Sequence, residues 1–340
     1  MKENKKGIFS RDMIADLSQC RTFLMGMAIM AVVMFHVRAR SICPEGALAA
    51  FLNDIVGAGH GGCDFFLFLS GFGLSFSLAR DSNLPRYLGR RAKKLFPAYY
   101  PFILVYIGCA AALRGITWLE TLGNLTFTGF WFQWNNQFNW YVQTVVAFYL
   151  LAPAVYWALK KLGNGWKGLL ALMAFALALQ VVFWGKYQMI AITRVPVFLF
   201  GMFLGSRKTE LPWTKGRLAL TAVVFLAGVV FWRTTLPYVD WGNGLYWYPF
   251  LLLAPSMSLL TAALRPYWLK VWWLRKLDRL VCICGECSFE IYLVHLLFFE
   301  TLLVHRQGNL FWLMMAVVFT AAGIGYHYLV EAAVKKLARR

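Results

Sequence analysis

The sequence predicts an all-α fold: a polytopic membrane helix bundle of about ten transmembrane helices, with both termini cytoplasmic. Three observations predict it. Of the 340 residues, 60% are hydrophobic and 14% charged, whereas a soluble domain is about half apolar and about a quarter charged. The apolar residues gather in ten runs long enough, or nearly so, to cross about 30 Å of hydrocarbon. The cations alternate from side to side: 26 of the 34 Lys and Arg residues fall in one set of connecting segments and six in the other, the asymmetry that marks a cytoplasmic face.

The runs lie near 18–38, 60–80, 95–113, 139–158, 167–185, 189–205, 217–233, 246–264, 281–304 and 309–331. A cytoplasmic segment, 1–17, precedes them and a basic tail, 332–340, follows. The whole chain, 1–340, reads as a single membrane domain. Segments 80–94, 159–167, 206–217 and 265–280 are the cytoplasmic loops. The opposite loops hold only Arg38, Arg40, Arg114, Lys186, Arg233 and Arg306. The stretch 116–134 (ITWLETLGNLTFTGFWFQW) is interrupted by Gly and Asn and is rich in aromatics. It is expected to be interfacial or re-entrant, because an eleventh span there would reverse every later loop and erase the charge asymmetry. No A-x-A-like site follows the first run, so an uncleaved first span is expected rather than a removed signal peptide.

Some function classes drop out. The net charge of +19 does not indicate nucleic acid, because the cations sit in short loops between apolar runs. Cys282, Cys284 and Cys287 form C-x-C-x-x-C, but the helix reads as continuous there and no second cluster matches it. Packing thiols are expected, and no metal. The small-residue pairs Gly57/Gly61 and Gly201/Gly205 are expected to let helices approach closely.

A charge at the centre of a span costs roughly 2.5–3.5 kcal/mol, so Asp64, Arg194 and Glu290 need water or one another. His36 stands 16 residues beyond residue 20, roughly 24 Å along a helix, at the outer end of the first span. Asp64 opens the second span, which runs inward from the same side. The two are expected to pair, with the carboxylate fixing the imidazole tautomer and the imidazole deprotonating a hydroxyl. The alternative is a hydrogen bond that only ties two helices. Glu290 is expected either to pair with Arg194 as a structural bridge or to have a functional role. In the ninth span Ser288, Tyr292 and His295 share one helical face. Trp131, Trp134, Trp140 and Tyr141 form an outer aromatic group, either an interfacial belt or a platform for a sugar ring. The corner Arg90, Arg91, Lys93 and Lys94 fits attraction to anionic membrane lipids, and arginines beside a helix start also suit a phosphate.

Several motifs together resemble the bacterial acyltransferase 3 family of integral membrane proteins. They are Gly26-Met27-Ala28-Ile29 running to Phe35-His36; GHGGCDFFLFLSGFGL from Gly59 to Leu74, which contains Ser70; YLGRRAKKLFPAYY from Tyr87 to Tyr100; NWYVQTVVAFYLLAP from Asn139 to Pro153; RVPVFLFGMFLG from Arg194 to Gly205; and CSFEIYLVH from Cys287 to His295. The resemblance implies transfer of an acyl group, often acetyl from acetyl-CoA, to a hydroxyl of a sugar or other envelope molecule in the bacterial plasma membrane. It implies a catalytic His36, with Asp64 beside it, and an acyl-CoA site at Arg90, Arg91 and Lys94. Acyl-CoA would be a co-substrate, with no resident cofactor. Arg21, Ser70, Trp140, Arg194, Glu290, Tyr292 and His295 would line or support the cavity. Many members carry an arginine about eleven residues before the histidine. This chain has Met25 there, with Arg21 one turn earlier. The competing expectation is a transporter or flippase of a glycan or lipid-linked intermediate, its buried charges lining a route. No paired Gly/Pro-broken spans at matching positions support it.

Overall fold

A computed structural model of the chain describes residues 7–36, 46–134, 139–207, 210–235, 246–298 and 309–338. These form α-helices in the order α1 (Met13–His36), α2 (Ala47–Gly57), α3 (Gly62–Arg80), α4 (Leu84–Leu113), α5 (Trp118–Thr126), α6 (Trp140–Lys161), α7 (Trp166–Val182), α8 (Met189–Ile192), α9 (Val195–Ser206), α10 (Lys215–Thr235), α11 (Tyr248–Trp268), α12 (Trp272–Glu286), α13 (Ser288–Leu297) and α14 (Asn309–Leu337). Extended pairing among the described residues is confined to one isolated bridge, Asp12 with Pro212.

Each apolar run falls on a helix. Eight stretches are long and apolar enough to cross a membrane: Met13–His36, Ala49–Arg80, Leu84–Leu113, Trp140–Lys161, Met189–Ser206, Lys215–Thr235, Tyr248–Trp268 and Leu313–Leu337. Trp166–Val182 is shorter. The remaining run is the pair α12–α13, bent by 69°. That bend corrects the continuous helix expected across the cysteines: the chain breaks at Cys287, which flanks the first turn of α13 with φ −91° and ψ 10°. The basic corner differs too. It is not a loop, because α4 starts at Leu84 and carries Arg90, Arg91, Lys93 and Lys94 in its early turns. Pro85 in the first turn costs no helical hydrogen bond and presets φ.

Helix α5 settles the reading of 116–134. Thr117 caps it by accepting from the Glu120 N–H, a Thr-to-N3 cap. Phe127 ends it in the left-handed region at φ 61°. Nine residues span about 14 Å, too little to cross. Just outside α4, Arg114 binds Glu120 at 2.5 Å and donates to the Tyr106 hydroxyl at 2.8 Å. The hydrogen bond to Glu120 pushes the guanidinium further above its ordinary pKa.

The chain packs as two compact units. One takes the described parts of Met1–Leu24, Asp64–Leu84 and Leu150–Arg279. In it α3 and α9 meet backbone to backbone. A Cβ on Gly201 or Gly205 would collide with the Phe68 or Phe72 carbonyl, and one on Gly71 with the Phe198 carbonyl. The Ser75 hydroxyl donates to Met202 O across this seam at 2.9 Å. Arg265 clamps Asp278 through two bonds of 2.8 Å.

The second unit takes the described parts of Met25–Cys63, Pro85–Tyr149 and Leu280–Arg340. Here Gly323 of α14 admits the backbone of Ile291 in α13. Gly59 lies on the Ala31 carbonyl and Gly62 on the Ala28 carbonyl, both in α1. The expected contact through Gly57 is absent, since a Cβ there would meet nothing within 4 Å. The 3-10 turn Ala58–Gly61 that follows α2 resets the helical phase, so the packing face passes to Gly59 and Gly62.

Candidate functional site

His36 closes α1 and His295 lies near the end of α13. The His295 Nδ1 is 3.1 Å from Ile291 O, and its Nε2 is 3.2 Å from the His36 Nδ1. The His36 Nδ1 is also 3.0 Å from Val32 O. Carbonyl oxygens only accept, so Nδ1 of His295 carries its proton and Nε2 carries a lone pair. That lone pair and the Val32 carbonyl both face the His36 Nδ1, which therefore donates. The lone pair of neutral His36 is thus on Nε2. Each α-helical backbone supplies the orienting carbonyl one turn back, so the two tautomers are set by local geometry.

Aromatic rings extend this pair. The His36 and His295 rings are 4.9 Å apart, Tyr292 lies 5.3 Å from His295, and Tyr141 lies 5.0 Å from Tyr292. Phe35 sets an edge against His36 at 5.3 Å and packs on His60 at 5.5 Å. His295 is fully buried. Trp140 is half-buried and packs against Tyr141 and Phe130.

The expected pairings change. The Asp64 Oδ2 accepts from the Arg194 Nε at 3.2 Å. Both side chains are about 1% exposed. Arg194 also donates to Ile190 O at 2.5 Å and stacks over Trp247 at 4.9 Å. The Glu290 carboxylate, 8% exposed, stands 3.2 Å from the His327 Nδ1 of α14. The face of α13 explains this: Glu290 projects toward α14, and Tyr292 and His295 project elsewhere.

The remaining predicted residues are spread over the two units. Arg91 sits over the rings of Tyr87 and Tyr149, at 5.7 and 6.0 Å, and the Tyr87 hydroxyl donates to Tyr149 O at 3.0 Å. Arg90 is half-buried nearby on α4 and Lys94 is exposed. In the other unit the Arg21 guanidinium lies against Gly73, where any Cβ would strike it. Ser70 is half-buried on α3. His327, Trp247 and Tyr149 escaped the sequence reading. Partners of this kind leave no motif, because their contacts join residues far apart in the chain. Asn139 and Gln143 also escaped it, although two polar residues one turn apart at the start of an apolar helix were a visible signal.

From residue 23 to residue 328 the chain matches the family model described as an acyltransferase domain. No curated protein and no solved structure gives a match. The matched range takes in both histidines, the basic start of α4 and the Asp64–Arg194 pair, and leaves Arg21 two residues outside. With nearly the whole length matched and multiple membrane-length helices carrying the site, the chain belongs to the acyltransferase 3 family and is a multi-pass membrane acyltransferase.

Proposed function

We propose that the protein moves an acyl group, acetyl in the first instance, from cytoplasmic acyl-CoA to a hydroxyl of a cell-envelope sugar or polysaccharide in the bacterial plasma membrane. The observation that carries this reading is the 3.2 Å approach of the His295 Nε2 to the His36 Nδ1, which leaves the His36 Nε2 as a base. In the reaction the His36 Nε2 takes the proton of the acceptor hydroxyl as its oxygen attacks the thioester carbonyl. The C–O bond forms, the C–S bond breaks, and the CoA thiolate leaves. The proton held on Nε2 passes to that thiolate, giving an ester and free CoA thiol with no net proton change. During the cationic interval His36 still donates from Nδ1, and the His295 lone pair spreads the charge. Such a base is worth about 10²–10⁴ in rate.

The early turns of α4 suit the donor. Arg91, laid across two tyrosine rings, offers a planar fork to a phosphate, and Arg90 and Lys94 add charge. Trp131 and Trp140 suit the acceptor, since aromatic faces receive the apolar faces of sugar rings. Membrane lipids complete the surroundings.

The test uses purified protein in nanodiscs with acetyl-CoA and a panel of sugars and envelope glycans. Free thiol release and an acyl-mass gain on the acceptor are measured together. The expected result is both signals in the wild type and neither in His36→Ala, with the variant still inserted and folded. Full activity in His36→Ala removes the imidazole from the reaction. Glycan movement without thiol release replaces transfer by transport.

A further inference from the structure

A second polar feature lies at the start of α6. Asn139 immediately precedes this helix at φ 61°, a left-handed conformation that Asn tolerates better than most residues. Its Nδ2 donates to the Tyr99 hydroxyl at 2.9 Å, and that hydroxyl donates to Asn124 O at 2.7 Å. One turn later the Gln143 Oε1 accepts from the Phe130 N–H at 2.7 Å. These bonds fix which end of each amide is oxygen and which is nitrogen. They leave the Asn139 Oδ1 and the Gln143 Nε2 buried with no hydrogen-bond partner, on side chains 1% and 0% exposed. An unmet buried polar group costs about 1–3 kcal/mol, and here two stand four residues apart in the chain.

We propose that Asn139 and Gln143 form a slot that reads one hydroxyl of the sugar acceptor. The slot offers one acceptor and one donor, on residues four apart in the chain. A hydroxyl meets both needs through a single oxygen, donating to Oδ1 and accepting from Nε2–H. An anion would face the Asn139 oxygen, and a cation the Gln143 N–H. Beside the slot Phe130 packs on Trp131 at 4.9 Å and near Trp140 at 6.4 Å. Apolar rings with a few fixed polar groups are the composition that orients a small ligand. Tyr141, between the two amides in the chain, packs against Tyr292, which packs against His295. In this proposal the hydroxyl in the slot is not the one that reacts, and its binding positions the acceptor.

This inference rests on the proposed sugar acceptor, and its test is a binding measurement without acyl-CoA, so it stands or falls apart from the transfer reaction. Saturation-transfer NMR is run on the full chain in nanodiscs. The probes are the methyl glycosides of glucose, galactose, mannose and N-acetylglucosamine, with their mono-deoxy analogues. The expected result is that one parent sugar binds and one of its deoxy analogues binds about tenfold more weakly, the loss of one hydrogen bond. Gln143→Met removes the donor and should abolish that discrimination. Tyr99→Phe disturbs the same network but spares the slot, and should keep it. Binding of every analogue alike, binding of none of the panel, or discrimination that survives Gln143→Met overturns the proposal and leaves a buried water as the occupant. If Gln143→Met does not fold, the wild-type deoxy series alone decides.

Discussion

His295 presents its Nε2 to the His36 Nδ1 at 3.2 Å, one imidazole seated on another. In the proposed reaction His295 positions His36 and does not itself meet the acceptor. Replacing it by Ala should lower kcat about 10–100-fold, the usual loss when an orienting partner is removed, while KM for acyl-CoA stays unchanged. His295→Gln, whose amide oxygen can accept from the same N–H, should recover part of the rate. Steady-state kinetics on the three proteins check both statements. A shift in KM alone would assign His295 to substrate binding.

The Asp64–Arg194 pair is buried on both sides. Removing one partner strands the other charge, which costs about 3–5 kcal/mol, whereas replacing both with apolar groups is often close to neutral. Asp64→Leu or Arg194→Met alone should therefore lower the unfolding midpoint strongly, and the double variant should recover most of it. Unfolding in detergent, read as a double-mutant cycle, measures this. Additive losses would mean the two side chains act independently.

Glycine positions give a paired prediction. Gly201→Val and Gly59→Val force a side chain into carbonyls of α3 and α1 respectively, and should each destabilise by at least about 1–3 kcal/mol. Gly57→Ala meets open space and gains helix propensity of up to about 1 kcal/mol. Thermal stability of the purified variants separates the two outcomes.

Arg91 offers a test of the donor site. Arg91→Lys keeps the charge but loses the planar fork and the stacking on Tyr87 and Tyr149. It should raise KM for acyl-CoA nearly as much as Arg91→Ala, about tenfold, with little change in kcat. Added salt should weaken donor binding by the wild type and by Arg91→Lys more than that of Arg91→Ala.

Much of this architecture was legible in the chain. Among the described residues each membrane-length helix overlaps one of the apolar runs, and α5, inside 116–134, ends at the left-handed Phe127. His36, Tyr292 and His295 were each singled out, and the structure joins them. What stayed hidden was pairing. Nothing in the local sequence says that Arg194 takes Asp64, because that choice is made by two helices 130 residues apart. His327 sits in α14 one turn before Glu331 and was the unread signal for the partner of Glu290. The break at Cys287 was obscured by the apolar residues on both sides of it, which read as one run. The expected cations Arg38, Arg40 and Arg306 fall outside the described residues.

That break has a mechanical consequence for the imidazole at 295. The ten residues of α13 span about 15 Å and are keyed into α14, where Gly323 receives the Ile291 backbone. The 69° corner uncouples them from the amphipathic α12. The ring is thus registered by α14, with the bend at Cys287 between it and the basic residues of α12.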